Sequence, residues 1–360
     1  MSNVERFANK RVLVVGGAGF VGSNLVRRVL AGNPSKVLVV DNLLSAERSN
    51  LPDHPAVELI EGSITSDKIL ASLSDDLDFG FHLATYHGNQ SSIADPLADH
   101  ENNTLTTLKL YERIKSFKKL ERLVYSSAGC TVAEKTYDEA HATTEDAPVS
   151  LWHDSPYQIS KIVGEFYSNY YFMRHKLPVV KVRFQNVYGP GEKLGAGQWR
   201  GTPATVWRNV TPTFIFRALR KLPLTVENEG QATRDFIYVD DIVEGLIAAA
   251  VRGTAGEVYN LASGAETSIL DLAKLINELT QSSTPIDFLP PRPWDRSGHR
   301  FGSTDKAREK LGFAAQVKIR DGLEKTIAWT RQNLPEIERC MSRHAKEMTA
   351  AGAPLPAGLG

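Results

Sequence analysis

The most distinctive chemical pair in the chain is Tyr157 and Lys161, in the segment DSPYQISK. Residues four apart on a helix share one face, so the phenol and the ammonium can act at one place. A tyrosine titrates near pH 10, which is too high for a base at neutral pH, and a neighbouring positive charge lowers that pKa. The spacing predicts a tyrosine general base, although the same spacing also occurs on helices without any function.

A second signal is the segment LVYSSAGCTV, residues 123–132, where an apolar run leads into two serines. A serine hydroxyl there can hydrogen-bond a reacting alcohol, whereas the following Ala128 and Gly129 cannot move a proton. The segment predicts chemistry that needs a hydroxyl but no adjacent carboxylate. Cys130 lies nearby as a further acid or base, but a buried cysteine is more often an ordinary packing residue.

A glycine-rich turn provides the third signal. The segment VLVVGGAGFVGSNL places Gly16, Gly19 and Gly22 after an apolar strand and at the start of a helix. Such a turn lets backbone N–H groups and a positive helix end approach a pyrophosphate. The next strand ends at Asp41, roughly 20 residues on, where a carboxylate grips the adenosine ribose. Because Asp41 would repel a 2′-phosphate, NAD is favoured over NADP; the alternative is a tight turn with a structural aspartate.

Short apolar runs alternate with amphipathic stretches in the first half of the chain, which predicts a buried parallel sheet. The predicted strands are residues 11–15, 36–40, 57–61, 79–84, 122–126 and 179–184. The fold class is therefore α/β, a Rossmann-type doubly wound sheet with a smaller C-terminal α/β substrate-binding lobe.

Domain boundaries follow from the loss of this regularity after Gly189. We expect an NAD-binding domain over residues 1–190, with residues 235–262 returning to it. Residues 191–234 and 263–335 are assigned to the smaller, substrate-binding lobe, and residues 341–360 to a disordered tail. The Gly- and Trp-rich stretch 189–212 is predicted to be an ordered loop that covers a substrate.

Composition excludes several classes of function. The 360 residues include 42 basic and 42 acidic side chains, so no general attraction to nucleic acid or an anionic membrane is expected. The chain has only two cysteines, Cys130 and Cys340, and this small number indicates a reducing compartment and no disulfides. The N-terminus lacks an apolar signal peptide, no apolar run is long enough to span a bilayer, and no spacing suggests a metal site. We expect a cytoplasmic protein.

The motifs together resemble the extended short-chain dehydrogenase/reductases, in the nucleotide-sugar epimerase/dehydratase group. The resemblance covers roughly residues 10–330 and rests on segments in the family's order: GGAGFVG (16–22), DN (41–42), HLA (82–84), SSIADP (91–96), NNTLTTL (102–108), YSSA (125–128), YQISK (157–161), RFQNVYGPG (183–191), RDFIYVDD (234–241), YNLASG (259–264) and PPRPWD (290–295).

The resemblance implies roles for individual residues. Tyr157 is the general base, Lys161 binds the nicotinamide ribose and lowers the tyrosine pKa, and Ser127 matches the family's catalytic Ser/Thr. The implied NAD contacts are Gly16, Gly19, Phe20, Val21, Gly22, Asp41, Asn42, Ser63, Ile64, Leu83, Ala84, Thr85, Asn103, Tyr157 and Lys161. The implied contacts to a nucleoside diphosphate sugar are Ser92, Ser127, Asn186, Arg234 and Arg292. Ser63 stands where the family usually has an aspartate that binds adenine, which predicts a weaker adenine contact.

The missing acids select among the family's reactions. A 4,6-dehydratase or a decarboxylase usually carries an acid after the serine, whereas a C4 epimerase needs none. The resemblance therefore implies an NAD-dependent nucleotide-sugar 4-epimerase, most simply on a UDP-hexose or UDP-hexuronate. A nucleotide-sugar 4-dehydrogenase or reductase, a 4,6-dehydratase and a catalytically silent NAD-binding scaffold stay open. His87, in ATYHGNQ, either contacts the ligand or is structural.

Helices near residues 97–116 and 157–175 resemble the pair through which relatives dimerise as a four-helix bundle. The aromatic segment NYYFM, residues 169–173, offers the surface that such an interface needs. We expect a homodimer.

Overall fold

The computed structural model describes residues 3–86, 88–133, 136–295 and 298–359. The strands are β1 Arg11–Val15, β2 Lys36–Asp41, β3 Val57–Glu61, β4 Phe79–His82, β5 Arg122–Ala128, β6 Val179–Phe184, β7 Asn186–Tyr188, β8 Leu224–Glu227, β9 Thr233–Arg234, β10 Phe236–Tyr238, β11 Val258–Leu261, β12 Thr267–Ser268 and β13 Ile286–Leu289. The α-helices are α1 Phe20–Leu30, α2 Asp67–Ser72, α3 Asn89–Ala94, α4 Pro96–Asp99, α5 Thr106–Ile114, α6 Pro156–His175, α7 Val210–Leu219, α8 Val239–Arg252, α9 Ile269–Thr280, α10 Ile319–Ser342 and α11 Ala345–Ala350.

A seven-stranded sheet in the order β3-β2-β1-β4-β5-β6-β11 forms the centre of the molecule, and every neighbouring pair in it is parallel. The strand order reverses between β1 and β4, which is the doubly wound arrangement. The predicted Rossmann-type fold is therefore confirmed. Its β-branched runs form strands because their side chains are buried on both faces of the sheet.

Helices cover both faces of the sheet. On one face, α1 and α8 contribute Leu25, Val29 and Leu246 to a core with Val14 and Val124, all of them buried. On the other face, α5 and α6 pack through Leu110, Tyr111 and Tyr171. Because α6 is held against the sheet along its length, the side chains of its first turns have fixed positions relative to the strand ends.

The chain leaves the central sheet after β6, forms the separate pair β7–β10, and returns to the sheet with α8 and with β11, which pairs with β6. The parts between and after these elements form a smaller lobe around α7, α9 and α10, with the pair β8–β13 and a separate core. The lobe lies beside the carboxyl ends of the central strands, so it can close over a ligand bound there.

The predicted disordered tail is wrong for the described residues. Helix α10 continues to Ser342, α11 follows, and Met348 and Leu359 are 0% and 7% exposed. The Ser342 hydroxyl donates to the carbonyl of Leu359 at 2.7 Å. The small and proline-rich composition of the tail suggested disorder, but two apolar side chains within it find a partner surface that includes Leu194 and Val206.

Candidate active site

One large cavity, of about 630 Å³, lies where the carboxyl ends of the parallel strands meet the smaller lobe. Ligands of doubly wound sheets bind at this edge. The predicted site residues that line it are Gly16, Gly19, Phe20, Val21, Gly22, Asp41, Asn42, Ser63, Ile64, Leu83, Ala84, Thr85, Ser127, Tyr157, Lys161, Asn186, Arg234 and Arg292. The fold thus brings together side chains from widely separated parts of the sequence.

The glycine turn shows why no larger residue fits. Gly16 has φ +83°, and a Cβ on it would lie 2.5 Å from the backbone nitrogen of Ala84. A Cβ on Gly22 would lie 2.1 Å from the carbonyl oxygen of Gly16. Helix α1 begins at Phe20 without a side-chain cap, so its first N–H groups face the cavity as anion donors. The turn fits the pyrophosphate of a dinucleotide.

Asp41 ends β2 at the wall of the cavity. Its carboxylate accepts hydrogen bonds from the backbone nitrogens of Ala18 and Leu43, both at 2.9 Å. These bonds fix its orientation beside the glycine turn, as a ribose-binding carboxylate requires. Burial raises its pKa, against the lowering effect of these backbone hydrogen bonds. Ser63 also lines the cavity, and its hydroxyl lies 2.8 Å from that of Thr65.

Tyr157 and Lys161 lie in the first turns of α6, which Ser155 caps by accepting a hydrogen bond from the backbone nitrogen of Gln158. The Lys161 Nζ atom donates to the carbonyl of Ser126 at 2.9 Å and lies 5.9 Å from the centroid of the Tyr157 ring. The two side chains therefore meet at the end of β5, as the spacing predicted.

The pKa of Tyr157 does not follow the predicted direction within the chain itself. Burial raises it, the nearby Cys130 raises it further, and a hydrogen bond with Thr85 lowers it. Burial also lowers the pKa of Lys161 to about 8. Desolvation is the largest of these effects on Tyr157, and it favours the neutral phenol.

Ser127 differs from its expected role. Its hydroxyl donates to Glu165 Oε1 at 2.6 Å, and Glu165 forms a buried ion pair with Arg183 at 2.9 Å. Successive side chains of a strand point to opposite faces, so Ser127 faces α6 together with Tyr125, and Ala128 takes the other direction. Ser127 borders the cavity, but its hydroxyl supports a buried ion pair rather than pointing to a reacting alcohol.

Cys130 lines the cavity instead, just beyond the end of β5, and is partly exposed. Tyr157, Lys161 and Arg234 line the same cavity. The sequence left open whether Cys130 is a further acid or base or an ordinary packing residue. The structure puts it in the cavity with the tyrosine.

The substrate end of the cavity carries two arginines. Arg234 donates to the carbonyls of Thr233 and Gly298 at 2.6 and 2.9 Å, and burial lowers its pKa to about 9. Arg292 donates to Glu227 at 2.6 Å. Arg234 also lies 3.6 Å from the carboxylate of Asp295. Both guanidinium groups line the cavity, as a diphosphate site requires.

Ser92 and Asn103 do not line the cavity. The Ser92 hydroxyl accepts a hydrogen bond from the backbone nitrogen of Tyr157 at 3.2 Å, and Asn103 accepts one from the hydroxyl of Thr85 at 3.0 Å. Ser92 and Asn103 are 0% and 3% exposed. The geometry does not place Ser92 and Asn103 on the cavity wall: they bind Tyr157 and Thr85, which line it.

Sequence reasoning missed the wall contributed by the loop after β7 and by the start of α7. Glu192, Arg208, Asn209 and Thr211 line the cavity there. The loop had been assigned to substrate binding as a whole, without named side chains. Its one readable signal was Asn209 directly before an apolar helix, a position typical of a helix cap.

Other predictions concern His87, a metal site and a membrane-spanning helix. His87 lies outside the described residues. Among the residues that the structure describes, no group of three or more His, Cys, Asp or Glu side chains is placed to hold a metal ion. Within the same ranges, none of the helices combines the length and the apolar character needed to cross a membrane.

Comparisons with known proteins agree with this site. Residues 12–262 match the model of the NAD dependent epimerase/dehydratase family. The chain is 30% identical over 328 residues to a UDP-glucose 4-epimerase of Mycolicibacterium smegmatis, covering 89% of this chain and 98% of the relative. The Bordetella bronchiseptica enzyme WbmF, solved with NAD+ and UDP, is 62% identical with a TM-score of 0.86, covering 96% of this chain and 99% of that one. A Thermotoga maritima UDP-glucose 4-epimerase, solved with UDP-glucose, is 29% identical with a TM-score of 0.81, covering 90% and 99%.

Proposed function

The chain belongs to the NAD-dependent epimerase/dehydratase family and uses NAD as its cofactor, and we propose that it is a nucleotide-sugar 4-epimerase. The proposed substrate is a UDP-hexose or a UDP-hexuronate, because relatives are named for UDP-glucose or were solved with UDP. The observation that carries the proposal is the Tyr157–Lys161 pair on the cavity wall, with Ala128 and Gly129 where a dehydratase would need acids.

Epimerisation at C4 needs a base for the C4 hydroxyl and a carrier for the C4 hydride. Bound NAD+ supplies the carrier, since it accepts the hydride and returns it to the opposite face of the same carbon. Tyr157 takes the hydroxyl proton as the 4-keto sugar forms and gives it back as the alcohol is restored. Lys161 is fixed by the carbonyl of Ser126 and stabilises the phenolate. Thr85 also hydrogen-bonds Tyr157. Its own hydroxyl proton is donated to Asn103, so Thr85 is proposed to orient the phenol rather than to donate a proton to the sugar.

The test is to incubate the purified enzyme with UDP-glucose, UDP-N-acetylglucosamine and UDP-glucuronate in D₂O and to read the products by NMR. A C4 epimer without deuterium on carbon is expected, because the hydride stays on the cofactor. Tyr157→Phe should lower kcat by about 10²–10⁴-fold, the usual contribution of a general base. The control Tyr170→Phe, in the half-exposed part of α6, should keep its activity.

Other products in this experiment identify the alternatives. Net accumulation of NADH indicates a 4-dehydrogenase, and loss of the C6 hydroxyl indicates a 4,6-dehydratase. A Tyr157→Phe enzyme with unchanged turnover contradicts the proposed chemistry. A chain that turns over none of a broad panel and retains its cellular role in the Tyr157→Phe form is an NAD-binding scaffold.

The position of Cys130 favours a second candidate, epimerisation at the carbon next to the C4 or C6 carbonyl. In that reaction one group removes the C5 proton and a second group delivers a proton to the opposite face. Cys130 and Tyr157 line the same cavity, while the Ser127 hydroxyl is bound to Glu165. In D₂O this reaction introduces deuterium at C5, and Cys130→Ser suppresses it. Absence of deuterium at C5 with every sugar excludes this candidate.

We also propose a homodimer formed through α6. Its side chains Ile159, Phe166, Tyr170 and Met173 are 50%, 54%, 50% and 64% exposed, an unusually apolar surface for one helix. A second copy of the same helix would bury them in the four-helix arrangement expected from the sequence. Static light scattering at micromolar concentration tests this, and a monomer contradicts it. A cytoplasmic location is proposed as well, because two cysteines in 360 residues are too few for a disulfide framework; detection of the protein outside the cytoplasm by cell fractionation contradicts it.

A further inference from the structure

Two helix amino termini face the same cavity, and one carboxyl group lies between them. Helix α1 contacts the loop after β7 just beyond its first turn, where the side chain of Asn24 donates to the carbonyl of Pro190 at 3.1 Å. The amino terminus of α7 contacts the same loop two residues later, where the Asn209 side chain donates to Glu192. Both helix ends attract anions. Glu192 is therefore an acidic group in a place arranged for phosphates.

Glu192 is almost completely buried and lines the cavity. Its Oε1 atom accepts the hydrogen bond from Asn209, whereas its Oε2 atom has no partner. The charged group that faces it is Arg208, from the same loop. The Arg208 guanidinium is directed to backbone carbonyls, among them Ser45 at 2.8 Å, and forms no ion pair with Glu192.

A buried carboxylate without an ion pair is costly, so such a group favours its neutral form. Burial raises the pKa of Glu192 to about 7, against the lowering effects of Asn209 and Arg208. Phosphates brought to the two helix ends would raise it further, because like charges disfavour ionisation. In its neutral form the group gains an O–H donor, and phosphate oxygens accept such donors well.

We propose that Glu192 acts as a carboxylic acid whose Oε2–H donates a hydrogen bond to a diphosphate oxygen of a ligand in this cavity. The diphosphate belongs either to NAD or to the nucleoside diphosphate sugar. The second source rests on the proposed function, whereas the first does not. The inference concerns binding alone, so failure of the epimerase proposal leaves it standing and its own failure leaves the epimerase proposal standing.

The experiment measures ligand binding to the NAD-loaded enzyme as a function of pH. Affinity for UDP is measured by calorimetry from pH 7 to pH 9. In parallel, the fraction of NAD retained after gel filtration is measured at the same pH values. Each measurement is made on the wild type, on Glu192→Gln and on the control Glu229→Gln, which alters an exposed carboxylate outside the cavity wall. Glutamine keeps a donor at position 192 but cannot ionise.

The expected result is that wild-type affinity falls by up to about tenfold per pH unit once the free protein releases the proton. Glu192→Gln should lose that slope, and the control should keep it. If Glu192→Gln loses the pH dependence of UDP affinity, Glu192 binds the diphosphate of the nucleotide sugar. If it loses the pH dependence of NAD retention, Glu192 binds the diphosphate of NAD. A wild type whose binding of both ligands is flat from pH 7 to pH 9 overturns the inference, even if Glu192→Gln fails to fold. So does a Glu192→Gln protein with the wild-type slope for both ligands.

Discussion

At the scale of single residues, hydrogen-bond partners decide what each candidate group can do. Tyr157 and Lys161 meet at the cavity, as their spacing on a helix predicted. Ser127 has the residue type for catalysis, yet its hydroxyl is bound to Glu165. A hydroxyl that already donates to a buried carboxylate contributes to stability rather than to catalysis.

Ser127→Ala is therefore expected to reduce stability more than activity. Removal of a hydrogen bond to a buried charged group costs about 1.5–3 kcal/mol in the free energy of unfolding. We expect kcat to fall by less than about tenfold, far below the general-base effect expected at Tyr157. Urea unfolding and initial rates measure the two effects. A loss of kcat of two orders of magnitude with unchanged stability would restore Ser127 as a catalytic residue.

At the scale of elements, the carboxyl-terminal part of the chain is structural. Lys193 in the loop after β7 lies 3.5 Å from Glu336 of α10, and the backbone nitrogen of Gly197 donates to Glu47 at 2.9 Å. Arg343 forms an ion pair with the same Glu47 at 2.8 Å. The cavity loop is thus held between the residues after β2 and the end of α10, so the carboxyl-terminal helix supports the wall that contains Glu192.

Met348→Ala tests whether α11, the short helix that follows α10, also supports this loop. Met348 is 0% exposed and packs in the core that includes Leu194 and Val206 of the loop. Truncation of a buried methionine costs about 2–5 kcal/mol in the free energy of unfolding, because it leaves a cavity. Lys346→Ala, on the exposed side of the same helix, is the control and should change stability by less than about 0.5 kcal/mol. Equal thermal stability of the two variants would show that this segment does not pack as described.

At the scale of the whole molecule, stability depends on buried groups that the fold holds neutral. His82 is 1% exposed beneath the cavity floor, and its Nε2 atom lies 3.0 Å from the Thr107 hydroxyl. Burial, followed by the charge of Lys161, lowers its pKa to about 3. The unfolded chain binds a proton at this histidine below about pH 6.5, whereas the folded protein does not. Acid therefore favours the unfolded state.

The free energy of unfolding should decrease as the pH falls from 6.5 to 5, with a contribution from His82 of up to about 1.4 kcal/mol per pH unit. His82→Gln keeps a group near Thr107 but cannot take up the proton, so it should reduce this slope. His141→Gln, at an exposed histidine, should leave the slope as in the wild type. Urea unfolding at pH 5, 6 and 7 measures the free energy of unfolding of each protein, and therefore the slope. Identical slopes in His82→Gln and the wild type would contradict the neutral state of this histidine.

The sequence by itself determined the central sheet, the glycine turn and the Tyr157–Lys161 pair. These features are local: a strand needs a run of apolar residues, a tight turn needs glycine, and helical spacing fixes which side chains share a face. The family, and with it the cofactor, followed from the order of such local motifs. The partners of Arg234 and Ser127 were not local, since they depend on which elements pack against each strand.

Only the tertiary structure decided which predicted residues reach the cavity. In the folded chain the Ser127 hydroxyl donates to Glu165, and Ser92 and Asn103 lie outside the cavity lining. Cys130 and Glu192 line the cavity. The tertiary structure also ordered the tail, through apolar contacts with a loop about 150 residues earlier in the chain. The physical reason is the same in each case: burial and hydrogen-bond partners are set by contacts between distant segments, which no short stretch of sequence specifies.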